Sequence, residues 1–182
     1  RQMEKILLGF GKGSQTLEIN MKNLLGCLRP KEINCKVQEE EAIKKALENP
    51  IGTARLNKLI EKGDRVAIII SDITRPCPSY RLLPHVLDEI SQAGVTDQDI
   101  IIVAGLGVHR PHSEEEKKQL VGPEVFTRVK CIDSFGQKED FVQVGKSSKG
   151  TPFQVFRPVV EATKRICIGN IDYHYFAGYS GG

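Results

Sequence analysis

No apolar run in the 182-residue chain approaches the roughly 18 residues that a membrane span needs, and no secretory leader is visible. A membrane partner is therefore not expected. No C-x-x-C spacing occurs among the five cysteines, Cys27, Cys35, Cys77, Cys131 and Cys167. An odd number without that spacing argues against both a disulfide framework and a structural zinc site. Cys131 and Cys167 sit inside apolar runs, where a thiol behaves as a small hydrophobe, so a reducing, cytoplasmic setting is expected. No block of Lys and Arg interleaved with aromatics stands out and the net charge is only +3, so nucleic acid is not an expected partner. No internal repeat or low-complexity segment occurs. What is present is ordinary for a globular domain. Hydrophobic residues make up 40% and charged residues 27%, which is too apolar for a disordered chain, and the length suffices for one sizeable core. Arg1 and Gln2 precede Met3 and are expected to be foreign to the natural start.

The first element read along the chain is a hairpin from Lys5 to Asn20, turning at Gly11-Lys12-Gly13-Ser14. Helical spacing of Ala42, Ile43, Ala46 and Leu47 predicts a helix from Gln38 to Asn49, which Pro50 ends. A second helix is expected from Thr53 to Lys62. From there strands alternate with helices. Val66 to Ile70 and Ile100 to Ala104 are continuous apolar runs, as expected of strands buried on both faces of a parallel sheet. Helices are predicted from Ser79 to Ala93 and from Ser113, where Ser113 and Glu116 have the spacing of a capping box. Val129 to Ile132 reads as a third strand, and Val142-Gln143-Val144 with Phe153 to Phe156 as a second hairpin. A short helix, Pro158 to Thr163, precedes a last buried strand at Arg165 to Gly169. The fold class is α/β: a mostly parallel, doubly wound (Rossmann-like) sheet with helices on both faces and small hairpin additions. Ligands of such sheets bind beyond the carboxyl ends of the strands.

Three strand-end loops carry candidate chemistry. The first, Ser71 to Ser79, places Asp72, Thr74 and Arg75 within four residues and is stiffened by Pro76 and Pro78; Ser79 is expected to cap the next helix. A fixed guanidinium there can grip a carboxylate or phosphate through two parallel hydrogen bonds, and Asp72 can hold hydroxyls or orient the arginine. A bland reading is an Asp72–Arg75 ion pair that only shapes the loop. The second loop, Ala104 to Ser113, carries Gly105, Gly107 and His109, and an imidazole titrating near neutrality suits acid or base work. His112 beside the Ser113 cap is read as solvated or capping, and His85 on the preceding helix as structural. The third loop, Gly169 to Gly182, gathers His174 with Tyr173, Tyr175, Phe176 and Tyr179, and its closing glycines offer backbone N–H groups to an anion. Its aromatics are expected to wall a pocket for a flat ring. Parallel topology would bring all three loops to one edge.

The segments Asp72-Ile73-Thr74-Arg75-Pro76, Gly107-Val108-His109-Arg110 and His174 to Gly182 resemble the signature loops of the lactate racemase family, in order, spacing and placement. The resemblance covers essentially the whole chain, residues 1–182, as that family's amino-terminal domain. The family contains 2-hydroxyacid racemases and epimerases that use a nickel-pincer nucleotide, a pyridinium-3,5-bisthiocarboxylate mononucleotide carrying nickel. What the resemblance implies is that Asp72, Ile73, Thr74 and Arg75 contact that nucleotide and that Arg75 also holds the substrate carboxylate. It further implies that His109 and His174 are the acid/base pair on opposite faces of the substrate carbon, while hydride leaves and returns through the cofactor. Ile73 departs from the polar residue or His often found there. The family's cofactor-binding lysine, its nickel-ligating histidine and its carboxy-terminal domain all follow the position of Gly182, so no metal ligand is expected in this chain. The 182 residues are expected to be inactive alone. A non-catalytic nucleotide- or anion-binding module, or a partner-binding domain using the aromatic loop, would be the alternative.

Overall fold

The computed structural model describes residues 3–29, 31 and 37–181; Arg1, Gln2, Cys35 and Gly182, named above, lie outside them. The chain divides into two compact units, Arg1–Val37 and Gln38–Gly182. The first unit holds the expected hairpin, β1 (Met3–Phe10) paired antiparallel with β2 (Gly13–Asn20) from Met3↔Asn20 to Phe10↔Gly13. Its turn is tighter than expected, only Gly11 and Lys12, because Gly11 takes a φ of +58° that glycine adopts without steric cost.

The second unit opens with α1 (Glu39–Glu48). Its three first-turn glutamates lie at the positive end of the helix dipole, and Glu40–Lys44 and Glu41–Lys45 pair one turn apart at 2.7 Å. The next helix, α2 (Leu56–Leu59), is much shorter than the expected Thr53 to Lys62. At its start, extended Arg55 is drawn to Glu89, to which it donates through Nε at 3.0 Å and Nη2 at 2.5 Å. At its end, Ile60 leaves helical geometry for φ −112°, ψ 145° and buries its side chain in the core. Tertiary burial overrides helical spacing here.

Then follow β3 (Val66–Ser71), α3 (Ser79–Gln92), β4 (Ile100–Gly105), α4 (Glu114–Val121), α5 (Pro123–Arg128) and β5 (Lys130–Asp133). The hairpin β6 (Phe141–Lys146) and β7 (Pro152–Phe156) leads through α6 (Arg157–Glu161) to β8 (Lys164–Ile168), and a small hairpin, β9 (Asp172–His174) and β10 (Gly178–Ser180), ends the described chain. Ser113 builds the expected capping box: its Oγ accepts from the Glu116 N–H at 3.2 Å, and Glu116 Oε2 accepts from the Ser113 N–H at 2.9 Å. Ser79 corrects its expectation, since it is the first residue inside α3 and Pro78 occupies the cap.

Four strands form one parallel sheet in the order β5-β4-β3-β8. The chain winds outward from β3 to β4 to β5, then returns to place β8 on the other side of β3. Alternate residues of the sheet, including Val66, Ile68, Ile70, Ile100, Ile102 and Ala104, join one core cluster. Leu83, Val86, Leu87 and Ile90 meet it from one stripe of α3, joined by Leu120, Val121 and Val125 of α4 and α5 and by Leu47 and Leu56 of α1 and α2. Each fully buried leucine or isoleucine here contributes about 1.5–3 kcal/mol. The helices α1 to α5 thus serve one face. Ala67, Ile69, Ile101 and Val103 of the opposite face are outside that cluster, and α6 packs against β3 and β6. β8 is not the fully buried strand expected: it lies at the sheet edge, leaving Arg165 and Cys167 exposed. Cys131 does reach the core, and burial pushes its thiol up to about 12. Among the described residues no helix is long and apolar enough to cross a membrane.

Candidate active site

Because β3, β4 and β8 are parallel neighbours, the three loops leave the same edge of the sheet. Ser71 pairs with Gly105 in register, and a Cβ built on Gly169 would stand 4.0 Å from Ser71 Oγ. Asp72, the first residue beyond β3, is 4% exposed. Its Oδ1 accepts from the Thr74 N–H at 2.7 Å and its carbonyl from the Arg75 N–H at 3.1 Å, so the loop folds around the carboxylate. Ile73 turns its side chain onto the hydrophobic core.

The second loop turns through Gly107, at φ +59°, and the His109 N–H donates to the Leu106 carbonyl at 3.0 Å. This brings His109 Nδ1 to 3.0 Å from Asp72 Oδ2 and 3.5 Å from Thr74 Oγ1. Burial opposes ionisation of Asp72, but hydrogen bonds from the Thr74 hydroxyl and N–H and from His109 outweigh it and hold the carboxyl below its ordinary value. An ionised carboxylate only accepts, so His109 Nδ1 donates, and in the neutral ring Nε2 is left bare. The Asp72–Arg75 ion pair of the bland reading is thereby replaced by an Asp72–His109 pair. Arg75 is exposed and is in no ion pair among the described residues. Asp72, Arg75, Gly105, Gly107 and His109 line one cavity of 350 Å³.

His112 departs from its expected solvated role. Its side chain is 2% exposed, its Nδ1 lies 2.6 Å from Asp133 Oδ1, and its Nε2 accepts from the Ile73 N–H at 3.1 Å. Neighbouring Ser134 accepts the Leu106 N–H on its Oγ at 3.0 Å, so the end of β5 is tied to both loops. Arg110, next to His109, makes a bidentate pair with Glu116 at 2.6 and 2.8 Å. His85 is half-buried on α3.

The third loop forms the β9–β10 hairpin, and among the described residues its side-chain hydrogen bonds and ring pairs are made within it. His174 Nδ1 accepts from the N–H groups of Phe176 at 3.1 Å and Ala177 at 3.2 Å, which leaves the proton on Nε2. The ring stacks on Tyr175 with 5.3 Å between centroids. Gly181 is obligatory, since at φ +85° a Cβ would meet the Asn170 carbonyl at 1.7 Å. The aromatics do not wall a pocket in this structure: Tyr175 is 89% and Tyr173 83% exposed, and the rings pack on one another. No hydrogen bond among the described residues joins the hairpin to Asp72 or His109, and no group of three His, Cys, Asp or Glu converges as a metal site among them. Asp72, Thr74, Arg75 and His109 therefore come together, whereas His174 shares only the sheet edge.

Residues 10–182 match the family described as "Lactate racemase N-terminal domain". The chain is 34% identical to the lactate racemase of Thermoanaerobacterium thermosaccharolyticum and 31% identical to that of Lactiplantibacillus plantarum, in each case over 99% of this chain and 43% of the relative. Among solved structures it is similar to the lactate racemase apoprotein from Thermoanaerobacterium thermosaccharolyticum. The TM-score is 0.82 at 33% identity, over 98% of this chain and 42% of that one. The chain thus spans less than half the length of the relatives it matches.

Proposed function

The chain belongs to the lactate racemase N-terminal domain family, and from that premise we propose that it supplies the acid/base half of a 2-hydroxyacid racemase or epimerase. The reading includes a cytoplasmic full-length protein in which a carboxy-terminal domain closes over the substrate. It takes the winding about β3 as that of a doubly wound, Rossmann-like sheet, with the ligand at the switch point. The observation that carries it is one cavity holding a histidine with a bare Nε2, a buried carboxylate that fixes its tautomer, and an arginine outside any described ion pair.

A pyridinium mononucleotide carrying nickel fits this edge in its organic part. Arg75 and the Gly105–Gly107 backbone suit its phosphate, and Thr74 is an exposed residue beside them. When bound, that group supplies the hydride acceptor at the substrate carbon. The remaining work falls to this chain. Arg75 grips the substrate carboxylate and fixes which atom faces His109. His109 accepts the hydroxyl proton on Nε2, and Asp72 stabilises the imidazolium through Nδ1–H. His174 acts as the acid once its ring is an imidazolium that has given up the Phe176 and Ala177 contacts at Nδ1: it donates from Nε2 to the oxygen on the other face and ends neutral, and the reverse reaction exchanges the two roles. The 182 residues alone are expected to show no turnover.

Racemisation of an enantiopure 2-hydroxy acid such as lactate by the full-length protein in deuterated water tests the reading. The hydrogen on carbon 2 is expected to be retained, because the histidines handle only the hydroxyl proton. Deuterium at carbon 2 would mean proton abstraction from carbon and would refute the route. Ligand binding without turnover, unchanged by His109→Ala and His174→Ala, would identify a binding module instead.

A further inference from the structure

We propose that His112 and Asp133 form a positioning pair that holds the Asp72–Arg75 loop and, through it, fixes the tautomer of His109. The inference rests on the functional reading above only for its effect on turnover. His112 follows His109 by three residues, yet its ring turns away from the cavity and is 2% exposed. A backbone N–H can only donate. The 3.1 Å contact with the Ile73 N–H therefore makes His112 Nε2 an acceptor and puts the ring proton on Nδ1. That proton is donated to Asp133 Oδ1 at 2.6 Å, while Asp133 Oδ2 accepts the His112 N–H at 2.9 Å. Asp133 is thus committed as a double acceptor, and every polar atom of the bridge is used.

The far end of this chain of bonds lies inside the site. Ile73 sits between Asp72, which accepts from His109, and Thr74, whose N–H fills the other Asp72 oxygen. Holding the Ile73 N–H sets the peptide orientation from which Asp72 projects. The side chain of Ile73 anchors the same residue to the core from the other direction. Asp133 closes β5, paired in register with Ala104 of β4, so the support comes from the rigid sheet rather than from another loop.

Isosteric substitutions separate this role from mere filling of space. In Asp133→Asn, one of the two positions facing His112 becomes an N–H donor. Turned towards the His112 N–H it opposes a donor, and turned towards Nδ1 it moves the ring proton to Nε2, against the Ile73 N–H. No orientation satisfies the bridge. In His112→Gln the amide oxygen stands near the former Nε2 and can still accept from Ile73, whereas in His112→Asn the amide reaches only the Nδ1 position.

The test uses the full-length protein and two readouts. Hydrogen exchange at the Ile73 amide is expected to be slow in the unsubstituted protein and in His112→Gln, and clearly faster in His112→Asn and Asp133→Asn. Long-range ¹⁵N spectra of the histidines are expected to show His112 and His109 protonated on Nδ1, with His109 becoming a mixture of tautomers wherever Ile73 exchange accelerates. Turnover is expected to fall roughly ten- to hundredfold in the same two variants, with rescue by His112→Gln. A proton on His112 Nε2, Ile73 exchange indifferent to His112→Asn and Asp133→Asn, or a His109 tautomer unmoved while Ile73 opens, would each overturn the proposal. Absence of racemisation by the unsubstituted protein would refute the functional reading alone, since the exchange and tautomer readouts still decide the pair.

Discussion

Two histidine–aspartate pairs lie close together at the carboxyl edge of the sheet, His109–Asp72 and His112–Asp133, and both join Nδ1 to a carboxylate oxygen, at 3.0 and 2.6 Å. They differ at the second nitrogen. His112 spends Nε2 on the Ile73 N–H and is sealed from solvent, whereas His109 has 39% of its side chain exposed, in a cavity shared with Arg75. The shorter and, at the imidazole, more buried pair is the one with nothing left to offer a ligand. In the proposed function, the unspent lone pair suits His109 to move a proton, while burial and a short hydrogen bond suit His112 to a supporting role.

The comparison breaks most visibly at Asp72. In Asp72→Asn the Thr74 N–H still needs an acceptor, so the amide oxygen turns to it and the NH₂ faces His109 Nδ1. The ring proton then moves to Nε2 and the base is lost. Turnover of the full-length protein is expected to fall about 10²- to 10⁴-fold with its melting temperature little changed. Retained turnover in steady-state assays would show that the tautomer does not matter. His112→Ala is expected to act on the other axis. It leaves Asp133 Oδ1 and the Ile73 N–H without partners, with Oδ2 still held by the backbone N–H of residue 112, and costs about 3 kcal/mol in chemical denaturation. His109→Ala, which strands only Asp72 beside an open cavity, is expected to cost less stability.

The smallest effect concerns the segment that links the two pairs to α4. The Arg110 guanidinium, followed by the Ser113 N–H, holds Glu116 down to about 2 from its ordinary 4.5. A carboxyl depressed in the folded state stabilises fully above the unfolded value, and that contribution is lost as pH falls from about 4.5 towards 2. Glu116→Gln should therefore lower stability slightly at neutral pH and converge with the unsubstituted protein at the acid end, which flattens the acid limb in that window. An unchanged acid limb would mean that Glu116 contributes nothing there.

Much of this was legible in the sequence because the signals were local. The apolar runs at Val66 and Ile100 gave the central strands, and the Ser113–Glu116 spacing gave a cap with both expected bonds. The strand-end position of Asp72, Arg75 and His109 pointed to one edge, where the structure places them together. The failures came from partners remote in sequence. His112 read as solvated because Asp133 lies 21 residues on, at the end of a four-residue strand. Thr53 to Lys62 read as a full helix because neither the pull of Glu89 on Arg55 nor the burial of Ile60 shows in the spacing. Arg165 to Gly169 read as buried because an apolar run cannot reveal which strand becomes the edge. The aromatic loop suggested a pocket wall, yet its rings pack on one another within the hairpin and stay exposed.

The central claim, that the bare Nε2 of His109 moves the substrate proton, is tested most directly by the turnover of His109→Ala beside the unsubstituted full-length protein. Interconversion of the enantiomers of a 2-hydroxy acid is expected to fall by a factor of about 10² or more while the protein stays folded. Turnover equal to that of the unsubstituted protein would contradict the claim.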